Sequence, residues 1–239
     1  TYLQLNGNIL QIENEHYSLI RPKQPPREGE RAYFAIKQRG VDYIEVRGID
    51  INPFVPIGID EEQMHFLQLF LIFCLFYPSP DLTSSEEWEN GQNQNLTAIE
   101  GRQPELLLFE NGKETLLSQW AQKILIDMKR LANILDQKES PFNYSQLIEQ
   151  QIKKVKNPDF LPSAKLVAKI HERQQSYHEL GLSLSQQHFH FLKNYSVGDE
   201  LRNSLKNQTQ LSFEKQKEIE AHANSSFDEY LEHLNQMLI

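Results

Sequence analysis

The chain has 239 residues, of which 39% are hydrophobic and 24% charged, an ordinary globular composition that excludes a disordered or collagen-like polymer. Its formal charge of −9 arises from 24 basic and 33 acidic residues, with no strongly basic segment, which argues against a nucleic-acid surface. The single cysteine, Cys74, excludes an internal disulfide framework and a Cys-based zinc site, and points to a reducing, cytoplasmic setting.

Residues 1–52 read as β. Tyr2–Leu5 and Asn8–Ile12 flank Asn6-Gly7, a pair that tolerates the positive φ of a two-residue hairpin turn. A third extended piece runs from Glu15 to Ile20, and Pro22, Pro25, Pro26 and Gly29 mark a loop. Val41–Ile51, rich in β-branched residues, is the clearest strand, ended by Pro53 and Pro56. From Asp60 the pattern turns helical, with Asp60 and Gln63 spaced as a capping box. The helix that follows carries Leu67, Phe70, Leu71 and Cys74 on one face and is apolar nearly all round, so it is expected to be central and buried. The apolar window Met64–Tyr77 is interrupted by His65 and Gln68 and is too short to span a bilayer.

Ser84 with Glu87 repeats the capping spacing, and Gly101 suits a left-handed residue after that helix. Further helical periods cover about 115–137, 143–155, 163–180, 183–205 and 211–237, with loops at Pro104, Pro141 and Asn157-Pro158. Strands first and helices after make the fold class α+β. Residues 1–60 form the strand-rich part and 61–239 a helical region packed on it. Thr1 stands where a starting methionine would be and opens inside a predicted strand, without a signal-peptide pattern. The chain therefore reads as cut from something longer.

The strand at 41–51 carries the sharpest chemical signal. Period two places Val41, Tyr43, Glu45, Arg47, Ile49 and Ile51 on one face, with Ile44 and Val46 on the other. Apolar residues on both faces predict a strand covered on both sides. A carboxylate beside a guanidinium is costly to bury there without a partner or a purpose. The plainer account of an isolated Glu-x-Arg is a structural ion pair; the functional one is a metal-binding Glu45 beside an Arg47 that holds a phosphoryl group. Glu13, Glu15 and Tyr17, if extended, present two hard oxygen ligands and a phenol in one direction, and Arg21 and Lys23 continue the alternation as anion binders.

Other candidates are weaker. His188 and His190 diverge on a predicted helix, while His171 and His178 share a face without a carboxylate partner. Cys74 reads as a small core hydrophobe, and Trp88 and Trp120 as packing residues. No glycine-rich phosphate loop, Gly-x-Ser-x-Gly or His-Glu-x-x-His motif occurs.

Read in order, Gln11-Ile12-Glu13-Asn14-Glu15-His16-Tyr17, Ile20-Arg21-Pro22-Lys23, Tyr43-Ile44-Glu45-Val46-Arg47, Asp50-Ile51-Asn52-Pro53-Phe54 and Pro56-Ile57-Gly58 resemble the proteobacterial type of glutamate–cysteine ligase. Glu100-Gly101-Arg102-Gln103-Pro104, Asn157-Pro158-Asp159 and Ser163-Ala164-Lys165 match the same pattern, and the likeness runs over most of the chain, densest over residues 9–60 and thin after about 170. The matching portion is the C-terminal part of chains about twice as long, so the N-terminal half of the same enzyme is the implied partner.

The resemblance implies the first step of glutathione biosynthesis. ATP phosphorylates the γ-carboxylate of L-glutamate, and the amine of L-cysteine displaces phosphate from the acyl phosphate. It further implies Mg²⁺ as cofactor, Glu45 as a Mg²⁺ ligand, Arg47 on the transferring phosphoryl group and Tyr17 on the carboxylate of the acceptor. In fold it implies a glutamine-synthetase-like funnel of antiparallel strands, with residues 1–60 in its wall. Metal ligation by Glu13 and Glu15 and anion binding by Arg21 and Lys23 follow from alternation and charge alone. Two alternatives stand beside this reading: a γ-glutamyl ligase for a different amine, and a noncatalytic helical interaction module. Neither a nucleic acid nor a membrane is an expected partner.

Overall fold

The computed structural model describes Gly7 and residues 17–27, 29–138, 142–221 and 226–236. The predicted hairpin at 2–12 lies outside these residues apart from Gly7. The chain divides into two compact units, one made of the described residues up to Asp50 and from Ser196 onward, the other of Ile51–Tyr195. The class is α+β, with small antiparallel sheets preceding and interrupting a larger set of helices.

In the first unit, β1 (Ile20–Lys23) pairs antiparallel with β2 (Tyr43–Val46), in the register Ile20↔Val46, Arg21↔Glu45, Pro22↔Ile44 and Lys23↔Tyr43. Hydrogen bonds from Asp42 N to Lys23 O (2.8 Å) and from Arg47 N to Leu19 O (2.7 Å) continue the ladder at both ends. The ordered strand is thus shorter than the predicted 41–51. Nor is it covered on both sides, because Tyr43 and Ile44 are exposed.

Between the strands lies α1 (Ala32–Arg39), a helix within the stretch 1–52 that reads as β. Arg39 fixes the proline-rich approach to it. Its Nη1 and Nη2 donate to the two carboxylate oxygens of Glu30 at 2.7 Å each, and Nη2 also donates to Pro25 O at 2.9 Å. The Arg39 guanidinium, helped by the Arg27 backbone N–H, lowers the Glu30 pKa from 4.5 to about 2. A carboxylate with a depressed folded-state pKa stabilises the fold above its unfolded value and loses that contribution as pH falls through the folded value. The difference in melting temperature between wild type and Glu30→Gln should therefore be full above about pH 4.5 and vanish toward pH 2. A difference that is unchanged over this range would remove the clamp from the stability of the unit. The same unit contains α8 (Asp199–Ala221) and α9 (Phe227–Gln236), where sequence periodicity placed the boundaries at 183–205 and 211–237.

The core of the second unit is a three-helix cluster. Leu69 of α2 (Glu61–Phe76) meets Leu125, Met128 and Ala132 of α4 (Leu117–Asp136) and Tyr144, Leu147 and Ile148 of α5 (Tyr144–Lys156). The three- and four-residue spacing on α4 and α5 makes each helix two-faced, and the apolar faces close on α2. His65 and Gln68, the two polar interruptions of α2, meet the Tyr144 hydroxyl at 3.3 and 3.0 Å. The Asp136 carboxylate accepts from Tyr144 N and Ser145 N, and the Asn143 side chain accepts from Gln146 N, so the free N–H groups opening α5 are satisfied.

Only the middle of α2 is buried. Leu75 is 78% and Phe76 76% exposed, and Cys74 is exposed too, contrary to its expected core role. Among the described residues no helix is long and apolar enough to cross a membrane.

α3 (Ser84–Glu100) starts one residue earlier than predicted, with Thr83 and Glu86 forming the capping box. Gly101 ends it in a right-handed conformation, and the positive φ falls instead at Glu105. β3 (Leu107–Glu110) and β4 (Lys113–Leu116) then form a hairpin where a loop and the start of a helix were expected. Its two-residue turn, Asn111-Gly112, has φ of 53° and 74°, the backbone of a type I′ turn. The Asn93 amide of α3 donates to Phe109 O and accepts from Phe109 N at 2.7 Å each, standing in for a neighbouring strand. Buried Glu89 accepts from Gly112 N at 3.2 Å. Trp88, a predicted packing residue, lies beside Phe109 yet is 58% exposed.

After α5, a 3₁₀ turn (Pro158–Phe160) leads to α6 (Pro162–Arg173) and α7 (Tyr177–Asn194), in place of the helices predicted over 163–180 and 183–205. Left-handed Gln174 closes α6, and Ser176 with Glu179 caps α7. The loop before α2 is closed by Asn52 N donating to Gly58 O at 2.8 Å and by the Asn52 side chain accepting from Phe54 N at 3.1 Å. His188 on α7 donates from Nε2 to Pro53 O at 2.9 Å, a structural use of that histidine.

Candidate active site

Antiparallel pairing carries the sequence alternation from one strand to its neighbour. Since Arg21 lies opposite Glu45 and Lys23 opposite Tyr43, the odd-numbered positions of both strands share a face. Arg47 continues that face, and the Tyr17 ring lies 5.6 Å from the Arg47 guanidinium carbon, a cation–π contact. Tyr17, Arg21, Lys23, Glu45 and Arg47 are thereby brought together. Glu13 and Glu15 lie outside the described residues. Tyr43 joins the face as a second phenol, and alternation alone could have marked it as part of the site.

The carboxylate of Glu45 is the hub. One nitrogen of Arg47, Nη2, donates to both of its oxygens at 3.0 Å, and Lys23 Nζ lies 3.4 Å from Oε2. The Arg47 guanidinium, against the opposing pull of burial and with a smaller contribution from the Lys23 ammonium, holds the Glu45 carboxyl below the ordinary glutamate range. These three side chains are between 30% and 36% exposed, so a ligand can reach them. The Lys23–Glu45 pair is invisible to periodicity, because only strand register brings the two together. Arg21 has no ion-pair partner among the described residues, and Nη1 and Nε of Arg47 are likewise uncommitted there.

Three cations around one carboxylate suit a polyanion accompanied by a metal ion. Among the described residues no group of three or more His, Cys, Asp or Glu is gathered, so no all-protein metal cage is formed. Magnesium is commonly held by one or two carboxylates together with substrate phosphates. Glu45 fits that donor set, as a ligand to an ion shared with phosphate oxygens.

Residues 1–97 match the glutamate-cysteine ligase family model. A glutamate–cysteine ligase from Alcanivorax borkumensis is 37% identical over 231 residues, covering 96% of this chain and 44% of the relative. The Azotobacter vinelandii ligase is 38% identical, with 96% and 43% covered. A crystal structure of glutamate–cysteine ligase from Francisella tularensis in complex with AMP superposes with a TM-score of 0.86 at 34% identity, covering 98% of this chain and 46% of that one. The chain thus spans less than half the length of the curated relatives it matches, and the matches cover 96% of it.

Proposed function

The chain is a relative of the glutamate–cysteine ligases, matching one part of them over nearly its whole length, and from that premise we propose that it takes part in the ATP-dependent ligation of L-cysteine to the γ-carboxylate of L-glutamate. The observation that carries this reading is the gathering of Tyr17, Arg21, Lys23, Glu45 and Arg47 on one face of the β1–β2 pair. The share of the family's length that the chain does not span, which we assign to the N-terminal half, would supply further ligands and much of the glutamate-binding surface. Exposed, unpaired Cys74 suits a cytoplasmic, reducing compartment.

A carboxylate is a poor acyl donor, so the γ-carboxylate oxygen attacks the γ-phosphorus of ATP, breaking the bond to ADP and forming a mixed anhydride. The amine of cysteine then attacks the acyl carbon, phosphate leaves with the bonding pair, and the amine gives up a proton. Phosphoryl transfer depends chiefly on positioning and charge neutralisation. Arg47 serves it from a fixed place: Nη2 is held by Glu45, while Nη1 and Nε, without a partner among the described residues, can donate to phosphoryl oxygens. Glu45 offers its carboxylate to Mg²⁺, which when bound supplies Lewis-acid neutralisation of the phosphates. Arg21 and Lys23 bind anionic groups beside it, and the exposed Tyr17 hydroxyl contacts the acceptor carboxylate.

The test is ADP release from Mg²⁺-ATP and L-glutamate by the natural polypeptide containing these residues, with and without L-cysteine. Cysteine-dependent release is the expected result. Release that responds only to another amine would reassign the acceptor, and no release at all would remove the ligase reading.

A further inference from the structure

The site has an unusual feature: the carboxylate assigned to the metal is paired with the cations assigned to phosphate. Arg47 occupies both oxygens of Glu45, and Lys23 lies against one of them. With Arg21 included, the described residues of this face carry three cations and one anion. A divalent cation arriving alone must displace two positive groups from its only described ligand and then sit among all three.

An anionic phosphate chain meets the opposite situation. Arg21, without an ion-pair partner among the described residues, can accept it at no cost in existing contacts. Once there, it offers Lys23 and Arg47 an alternative anion. We propose that Lys23 is an exchangeable counter-ion of Glu45, released to nucleotide phosphate, so that nucleotide and divalent cation bind this face with positive coupling set by Lys23.

The inference rests on the assignment of Glu45 as a metal ligand. Reciprocal coupling follows by linkage: whatever factor the nucleotide adds to metal affinity, the metal adds to nucleotide affinity. Metal that bound equally well without nucleotide would mean that the ion pairs cost nothing to break. Lys23, with a compact charge on a flexible stem, suits such an exchange better than the bidentate fork of arginine.

The test is calorimetric titration of the natural polypeptide with Mg²⁺ alone, ADP alone, and each in the presence of the other. Wild type is expected to bind Mg²⁺ weakly alone and roughly 5–150-fold more tightly with ADP. Lys23→Met should strengthen binding of Mg²⁺ alone, by roughly tenfold for removal of one nearby positive charge, and reduce the coupling factor. Lys23→Arg should bind Mg²⁺ alone no more tightly than wild type and keep a positive but smaller coupling, because the arginine fork leaves Glu45 less readily, and Arg21→Gln should weaken binding of ADP alone.

Unchanged Mg²⁺ affinity and coupling in Lys23→Met, with metal binding lost in Glu45→Gln, would overturn the exchange while leaving Glu45 as the ligand. Metal binding unaffected by Glu45→Gln in the presence of ADP would overturn the underlying assignment and the exchange with it.

Discussion

Replacing Arg47 by alanine is expected to lower kcat of the natural polypeptide by roughly 10³–10⁵-fold, the range for an arginine that stabilises phosphoryl-transfer charge. Two features make the site intolerant. The guanidinium is braced on one side by Glu45 at 3.0 Å and on another by the Tyr17 ring, so its free nitrogens are pre-oriented. Removing it also leaves Glu45 with Lys23 as its remaining described counter-ion. Arg47→Lys should recover little, since an ammonium cannot hold the carboxylate and donate from a rigid fork at once. Steady-state rates of cysteine-dependent ADP release would check this, and near-normal turnover in Arg47→Ala would remove the residue from the reaction.

The second large effect belongs to the three-helix core. Leu147 is 1% exposed and packs in the cluster shared by α2, α4 and α5. Leu147→Ala should cost about 2–5 kcal/mol, combining lost transfer free energy with the cavity left between the helices, whereas Ile148→Val should cost only about 0.5–1.5 kcal/mol. Denaturant unfolding of both variants would check the contrast. Equal, small effects would mean that the cluster relaxes to fill the gap or contributes little to cooperative unfolding.

How much of this could be read beforehand depended on the range of each interaction. Alternation along a single strand is local, and it placed Arg21 with Lys23, and separately Glu45 with Arg47, as the strand pairing has them, while Glu13 and Glu15 of the first group lie outside the described residues. Register is not local, so the Lys23–Glu45 pair could not be read. Amphipathic spacing also served well on α4 and α5, whose burial follows their own pattern. It failed for α1, which has little amphipathic contrast and no capping side-chain hydrogen bond at Arg31.

The β3–β4 hairpin is a different case. Asn111-Gly112 carries the same turn signal as Asn6-Gly7, but Leu107–Phe109 and Lys113–Leu116 do not alternate cleanly, so the flanks obscured it. Tertiary contacts decide that element: Asn93 completes the backbone pairing of Phe109, a bond from another helix that no local window contains. Gly101 shows the converse limit. Glycine permits a left-handed cap without requiring one, and the chain places its positive φ at Glu105 instead.

The division of the chain also bears on the order in which a ribosome can deliver it. The first unit combines residues up to Asp50 with residues from Ser196 onward, and the 145 residues from Ile51 to Tyr195 are made in between. At about 5–20 residues per second, this separates the two contributions by roughly 7–30 s. The second unit is continuous in sequence and holds its own core, so it can close while still tethered to the exit tunnel. Completion of the unit that bears Glu45 and Arg47 then comes after the second unit has been made, although those residues emerge before it.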